Sequence, residues 1–172
     1  MNLICGIDNG YSGYMVFIDL KTMSIHALES YPREEQKQLF YIFQKYKPIK
    51  VIMEQPFITT GFKGVSSSNY EILGRYSQTL EFLNIPYETV RVSTWRKYLG
   101  IKAKGREENK KASIQKAQEL FNEKDFLKLH STKNTNINHK RVPVDYVDDN
   151  KCESALIAYY ATQKYLDKLK NE

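Results

Sequence analysis

Acidic residues occupy three separate places where the apolar pattern predicts that a strand ends or a helix begins. Asp8 follows the apolar run 3–7, Glu54 ends the run 51–53, and Asp149 and Glu153 open the last apolar helix. The last two acids are four residues apart, which places both on one face of a helix. Clustered carboxylates bind hard divalent cations such as Mg²⁺ or Mn²⁺, and two such ions promote hydrolysis of a phosphodiester bond. The residue types therefore predict this chemistry if the fold brings the acids together.

Each of these acids also fits an ordinary structural role when it is taken alone. Asp8 suits a turn, Glu54 suits the end of a strand, and Asp149 suits the N-cap of a helix. All three explanations would have to hold at once to remove the prediction, so the joint pattern favours a metal site. Asp148 competes with Asp149 for the third position.

The net charge of +6 is concentrated in one segment. Residues 96–116 include eight basic and two acidic residues, so this segment alone accounts for the excess. The basic residues are Arg96, Lys97, Lys102, Lys104, Arg106, Lys110, Lys111 and Lys116. A basic surface beside clustered carboxylates suits a nucleic acid, since cations bind its phosphates while the acids hold metal.

The elements that must position these residues follow from apolar spacing and turn residues. Predicted strands span 3–8, 13–20, 23–28, 49–54 and 87–92, and predicted helices span 32–46, 72–83, 95–99, 107–121 and 150–168. Ser93 is the predicted N-cap of the short helix, and the polar segment 126–148 is a predicted loop. This order predicts an α/β fold with a mixed five-stranded sheet and helices on both faces.

Composition predicts one domain over residues 1–172, with a real apolar core. No segment has the pattern of a signal peptide or a membrane helix, so we expect a cytoplasmic protein with no membrane partner. Cys5 and Cys152 lie in apolar runs and predict buried, reduced thiols. The three histidines are too scattered to predict a histidine metal site.

The motifs together resemble the RuvC family of Holliday junction resolvases, in particular its phage and poxvirus-like branch. The matching segments are 4–14, 52–57, 73–75, 94–100, 111–113 and 149–158, and the similarity runs from residue 3 to about residue 162. The resemblance implies a ribonuclease H-like fold, in which the first strand is central and the fourth pairs beside it. One departure is that bacterial members usually have two Asp three residues apart in the last helix, whereas Asn150 precedes Glu153 by three here.

The resemblance also implies an activity and roles for individual residues. The implied protein is a homodimer that binds four-way DNA junctions and makes paired symmetric nicks with two Mg²⁺ (or Mn²⁺) ions per active site and no small-molecule cofactor.

The implied metal ligands are Asp8, Glu54, Asp149 and Glu153. Lys111 would contact the scissile phosphate, although Lys97 competes for this role. Phe57 would stack on bases at the junction or else belong to the core. The implied DNA-binding residues are Phe57, Arg96, Lys97, Lys102, Lys104, Arg106, Lys110 and Lys111. The helix 72–83 would expose apolar residues to the partner.

Other protein classes fit part of the pattern. A nuclease of the same fold that acts on flaps, forks or other branched DNA would use the same acids. A DNA-binding module without activity is disfavoured by the intact acids. The segment 6–10 also resembles the phosphate-binding turn of the actin, Hsp70 and sugar-kinase group, but those proteins need two such domains. Transposase and RNA-guided relatives are disfavoured because zinc motifs and further domains are missing from the sequence.

Overall fold

The structure, a computed structural model, describes residues 1–33, 36–56, 67–102, 104–131 and 144–171. The strands are β1 (Leu3–Ile7), β2 (Tyr14–Asp19), β3 (Ile25–Ser30), β4 (Lys50–Glu54), β5 (Tyr87–Val90), β6 (Leu127–Ser131) and β7 (Val144–Val147). The helices are α1 (Gln36–Tyr46), α2 (Ser67–Phe82), α3 (Val92–Tyr98), α4 (Arg106–Leu120) and α5 (Asp149–Lys170), with a 3₁₀ turn at Glu123–Phe126. Within the described ranges, none of the helices combines the length and apolarity that a membrane span requires.

The main sheet has five strands in the order β3-β2-β1-β4-β5. The first three strands are antiparallel neighbours, whereas β1–β4 and β4–β5 are parallel pairs. The predicted mixed sheet with a central first strand is therefore confirmed. Ile7 pairs with Met53, and Asp8 and Glu54 are the residues that follow. Parallel strands end at the same edge of a sheet, so this register brings the two acids to one edge.

Apolar side chains of the strands alternate between two cores, as strand geometry requires. Ile4 and Ile52 face α3, α4 and α5, and Cys5 and Val51 face α1 and α2. The predicted placement of helices on both faces is therefore confirmed. Cys5 and Cys152 are buried in different cores with free thiols, as predicted.

Helix α5 lies directly on the central strand at Gly6. A Cβ atom at this position would stand 2.0 Å from the backbone nitrogen of Ala158, far inside the contact distance of any side chain. Glycine is thus required for this close approach of two backbones. The contact sets how close α5 lies to β1, and with it the height of Asp149 and Glu153 above the sheet edge.

Two local predictions are wrong. Ser93 lies inside α3, which begins one residue earlier and has Arg91 at its N-cap position without a side-chain hydrogen bond. The predicted loop 126–148 contains β6 and β7, which pair as an antiparallel ribbon with Leu127 opposite Val147. These strands are short and their stability depends on each other, so the periodicity of either one alone is too weak to reveal them.

The apolar face of α2 is not exposed as the dimer prediction assumed. Ile72 and Leu80 are buried in the core of their own chain. The aromatic residues that do face solvent nearby are Phe82, which is 75% exposed, and Tyr41 of α1, which is 61% exposed. Phe40 contacts Phe82, with ring centroids 5.6 Å apart. We call Phe40, Tyr41 and Phe82 the aromatic patch.

Candidate active site

The four predicted ligands meet at the edge of the sheet where β1 and β4 end and α5 begins. Burial raises the pKa of Asp8 well above its usual range, and the charges of Glu54, Glu153, Asp149 and Asp148 raise it further, in that order of size. Each of these acids is therefore close enough to Asp8 to repel its charge. The structure thus brings Asp8, Glu54, Asp149 and Glu153 together, and their role as metal ligands stays a prediction.

The turn between β1 and β2 holds Asp8 in place. The amide of Asp8 donates to the carbonyl of Tyr14 over 3.2 Å. A Cβ atom on Gly13 would stand 1.9 Å from the carbonyl oxygen of Asp8, so the turn closes over this residue only because position 13 is glycine. The side chain of Asn9 donates to the carbonyl of Asn69 over 3.0 Å and ties the turn to α2.

Glu54 is a half-buried carboxylate with a specific donor. The indole Nε1 of Trp95 donates to its Oε2 over 2.9 Å. Burial raises the pKa of Glu54 to about 7, and the charge of Glu153 adds to the rise, while the Trp95 hydrogen bond and the charge of Arg96 oppose it. A carboxylic acid with this pKa gains a proton easily when no cation is near.

Asp148 and Asp149 have different roles in the structure. Asp148 is 2% exposed and is the N-cap of α5: its Oδ1 accepts from the amide of Asn150 over 3.0 Å and its Oδ2 accepts from the Tyr14 hydroxyl over 3.1 Å. Both of its oxygens are therefore engaged. Asp149 lies in the first turn of α5, and its Oδ2 forms an ion pair of 2.6 Å with Lys110. The capping role that the sequence suggested for Asp149 thus belongs to Asp148.

Glu153 is bound through one oxygen by two side chains from different helices. Arg96 of α3 forms an ion pair with its Oε1, and the Ser113 hydroxyl of α4 donates to the same atom over 3.2 Å. Arg96 therefore contacts an acid of the site, although the sequence placed it among the DNA-binding residues. Lys110 is similarly engaged by Asp149, and this hydrogen bond raises the pKa of Lys110.

The acids fit a hard divalent cation by the type of their donor atoms. Among the described residues, no three acidic, histidine or cysteine side chains are close enough to hold one metal ion as they stand. Glu153 and Asp149 are neutralised by ion pairs with Arg96 and Lys110. Within the described part of the chain, Oε1 of Glu54, Oδ1 of Asp149 and Oε2 of Glu153 have no hydrogen-bond donor. These oxygens are the type that Mg²⁺ and Mn²⁺ prefer.

The basic residues form a surface beside the acids. The exposed basic side chains on α3, on α4 and in the segment between them are Lys97, Lys102, Lys104, Arg106 and Lys111. A cavity of about 330 Å³ between the two helices is lined in part by Arg96, Lys97, Lys102 and Asn109. Its positive charge and hydrogen-bond donors suit a phosphate group. The predicted base-stacking residue Phe57 lies outside the described residues.

Sequence reasoning missed three residues that contact the acids: Trp95, Ser113 and Tyr14. All three belong to segments that matched the family motifs, which was the available signal. The single tryptophan of the chain is expected from its residue type to be a core residue, and its polar partner Glu54 is 41 positions away. Only the folded chain reveals that pairing.

The fold is shared with known junction resolvases. RuvC of Thermus thermophilus, solved in complex with a Holliday junction substrate, superposes with a TM-score of 0.60 at 10% identity, over 98% of this chain and 96% of that chain. A second structure of the same enzyme gives a TM-score of 0.58 over the same shares. The yeast mitochondrial Holliday junction resolvase gives 0.54 at 18% identity, over 99% of this chain and 82% of that chain. Family models and the sequences of characterised proteins give no match. The chain therefore has the ribonuclease H-like fold of these resolvases.

Proposed function

We propose that this chain is a structure-selective DNA endonuclease that resolves four-way junctions by paired symmetric nicks, through phosphodiester hydrolysis with two divalent metal ions per active site. The observation that carries the proposal is the placement of Asp8, Glu54, Asp149 and Glu153 at one sheet edge: the register of β1 and β4 aligns the first two, and adjacent residues of α3 bind Glu54 and Glu153. Carboxylates that approach within 4 Å of each other repel by about 4 kcal/mol per pair at an effective dielectric near 20, so drawing these four acids around one site requires divalent cations in addition to Arg96 and Lys110.

The four acids would hold the metal, Mg²⁺ or Mn²⁺, which supplies an activated water and stabilises charge on the leaving oxygen. We assign the third position to Asp149 over Asp148, because both oxygens of Asp148 are already engaged by the N-cap and Tyr14. Asp149 has one oxygen that no described donor contacts, and Glu153 follows it by one helical turn.

The basic surface of α3 and α4 would bind the DNA backbone. Lys97 and Lys102 line the cavity between α3 and α4 and are exposed, so they would contact phosphates flanking the cut. Lys111 is exposed on α4, one residue after the Lys110 that pairs with Asp149. We propose that Lys111 contacts the scissile phosphate. The fold shared with junction resolvases supports branched DNA as the substrate, and the exposed lysines of α3 and α4 support binding to its phosphates.

Paired nicks require two active sites on one junction, and we propose a homodimer of the single nuclease domain. The aromatic patch is the surface that supports this proposal. Exposed aromatic rings are enriched at the centre of protein interfaces. The patch belongs to α1 and α2, whereas the acids lie beside α3 and α5, so dimerisation through it would leave the acids accessible.

A four-way junction with a mobile core tests the proposed function directly. The junction is incubated with the protein and Mg²⁺, and the cuts on each labelled strand are mapped beside linear duplex and flap substrates. Glu54→Gln is expected to bind the junction but not to cut it, because a ligand is lost while the basic surface remains. Glu119→Gln is the matched control, since Glu119 pairs with Lys116 on the exposed face of α4.

Symmetric nicks confined to the junction would establish the proposal. Cutting of flaps or forks would instead favour the alternative nuclease of the same fold. Binding without any cutting would favour a DNA-binding module. Normal cutting by Glu54→Gln would show that the active site lies elsewhere.

A further inference from the structure

Helix α3 contacts two acids of the site from adjacent positions. Trp95 donates to Oε2 of Glu54 at the end of β4, and Arg96 binds Oε1 of Glu153 in α5. Trp95 is fully buried, so its indole N–H depends on Glu54 rather than on water for a hydrogen-bond acceptor. One short helix therefore links the two elements that carry these glutamates.

The two side chains of α3 also support each other. The guanidinium of Arg96 lies over the ring of Trp95, 5.1 Å from its centroid, which is cation–π distance. The stack restricts the direction of the guanidinium, and Ser113 adds a second donor at the same oxygen of Glu153. Each glutamate is thus held through one oxygen, and no described donor contacts the other oxygen.

We propose that Trp95 is a positioning residue for Glu54 and that Arg96 is the internal counter-ion of Glu153, which neutralises this acid until a divalent cation binds. The inference rests on the proposed metal site and assigns to these two residues a role in metal binding rather than in DNA binding. Trp95 would favour the metal by keeping Oε1 of Glu54 available in one orientation. Arg96 would weaken metal binding, because its positive charge repels a cation at the same acids.

Titration of the DNA-free protein with Mn²⁺ by calorimetry tests both roles. Trp95→Phe keeps an aromatic ring beside Arg96 but removes the N–H donor. We expect its Mn²⁺ affinity to fall roughly 10- to 100-fold, the usual effect of losing a hydrogen-bond partner behind a metal ligand. Arg96→Gln is expected to bind Mn²⁺ several-fold more tightly than the wild type, because a competing positive charge is lost.

Two controls separate positioning from general loss of structure. Phe43→Leu alters a fully buried ring on the opposite face of the sheet, so it should lower stability and leave the Mn²⁺ affinity unchanged. In a Glu54→Gln background, Trp95→Phe should lower the Mn²⁺ affinity by less than a further factor of about two, since the two residues act through one contact.

The outcomes distinguish this inference from the proposed function. Unchanged Mn²⁺ affinity in Trp95→Phe, or weaker binding in Arg96→Gln, would overturn the role of that residue even if the wild type resolves junctions. A wild-type protein that binds no Mn²⁺ at millimolar concentration would overturn both roles. Mn²⁺ binding with the expected changes but without junction cleavage would support the inference and reject the proposed function.

Discussion

Gly6→Ala is expected to push α5 away from the sheet and so displace Asp149 and Glu153, the two acids that α5 carries. Gly6 lies within β1, two residues before Asp8. Its added Cβ would meet the backbone nitrogen of Ala158 at 2.0 Å and the Cα of that residue at 2.4 Å. Neither atom can rotate away, because both belong to the backbone of a helix. The helix as a whole must therefore move.

The size of the effect follows from these distances. Ordinary contact begins at 3.4 Å, so α5 must shift by about 1.4 Å at this point. Overpacking of a core usually costs about 1–3 kcal/mol, and a backbone clash belongs at the upper end of that range. A protein of ordinary stability stays folded after such a loss. Asp149 and Glu153 would move with α5, so the Mn²⁺ affinity should fall together with the cleavage rate, for which a displacement of about 1 Å costs roughly 100-fold.

Urea unfolding and Mn²⁺ titration measure the two consequences separately. Gly74→Ala is the matched control: Gly74 lies in α2 and an added Cβ there would meet no atom within 4 Å. The free energy of unfolding of this control should rise by up to about 1 kcal/mol, because alanine has a higher helix propensity than glycine. A Gly6→Ala protein with wild-type stability would refute the close approach. Lower stability with unchanged Mn²⁺ affinity would refute the link between α5 and the site.

Three further predictions concern single groups. The folded-state pKa of Glu54 is raised to about 7, so the unfolded chain releases its proton first as the pH rises. Without metal, urea unfolding should therefore show stability falling between about pH 4.5 and 7, by at most about 3 kcal/mol, and Glu54→Gln should remove this fall. Asp148→Ala should lose about 1 kcal/mol of stability, because the N-cap of α5 is lost, and should keep its Mn²⁺ affinity. Asp149→Asn should lose Mn²⁺ affinity. If calorimetry showed the reverse, the roles of the two aspartates would be exchanged. Phe82→Asp should make the protein monomeric by light scattering, and Tyr98→Ser, another exposed aromatic, should not.

Local patterns were enough to predict the main sheet and two acids of the site. Apolar runs identify β1, β2 and β4 because most residues of each strand are buried in the core, so each strand has an apolar pattern in its own sequence. Asp8 and Glu54 end such runs, so their position at the strand ends was visible without a structure. The ribbon of β6 and β7 was not visible, since each strand depends on the other for its hydrogen bonds.

The sequence by itself thus determined the order of the main-sheet strands and the helices, the charge of the α3–α4 surface and the identity of the candidate acids, since these properties belong to residues near each other in the chain. The tertiary structure alone decided which aspartate caps α5, which basic residues pair with acids, and which donor holds Glu54. Tyr14 engages Asp148 across 134 positions and Trp95 engages Glu54 across 41. Such hydrogen bonds and ion pairs depend on distances of about 3 Å between side chains from different elements, and no local spacing in a sequence specifies them.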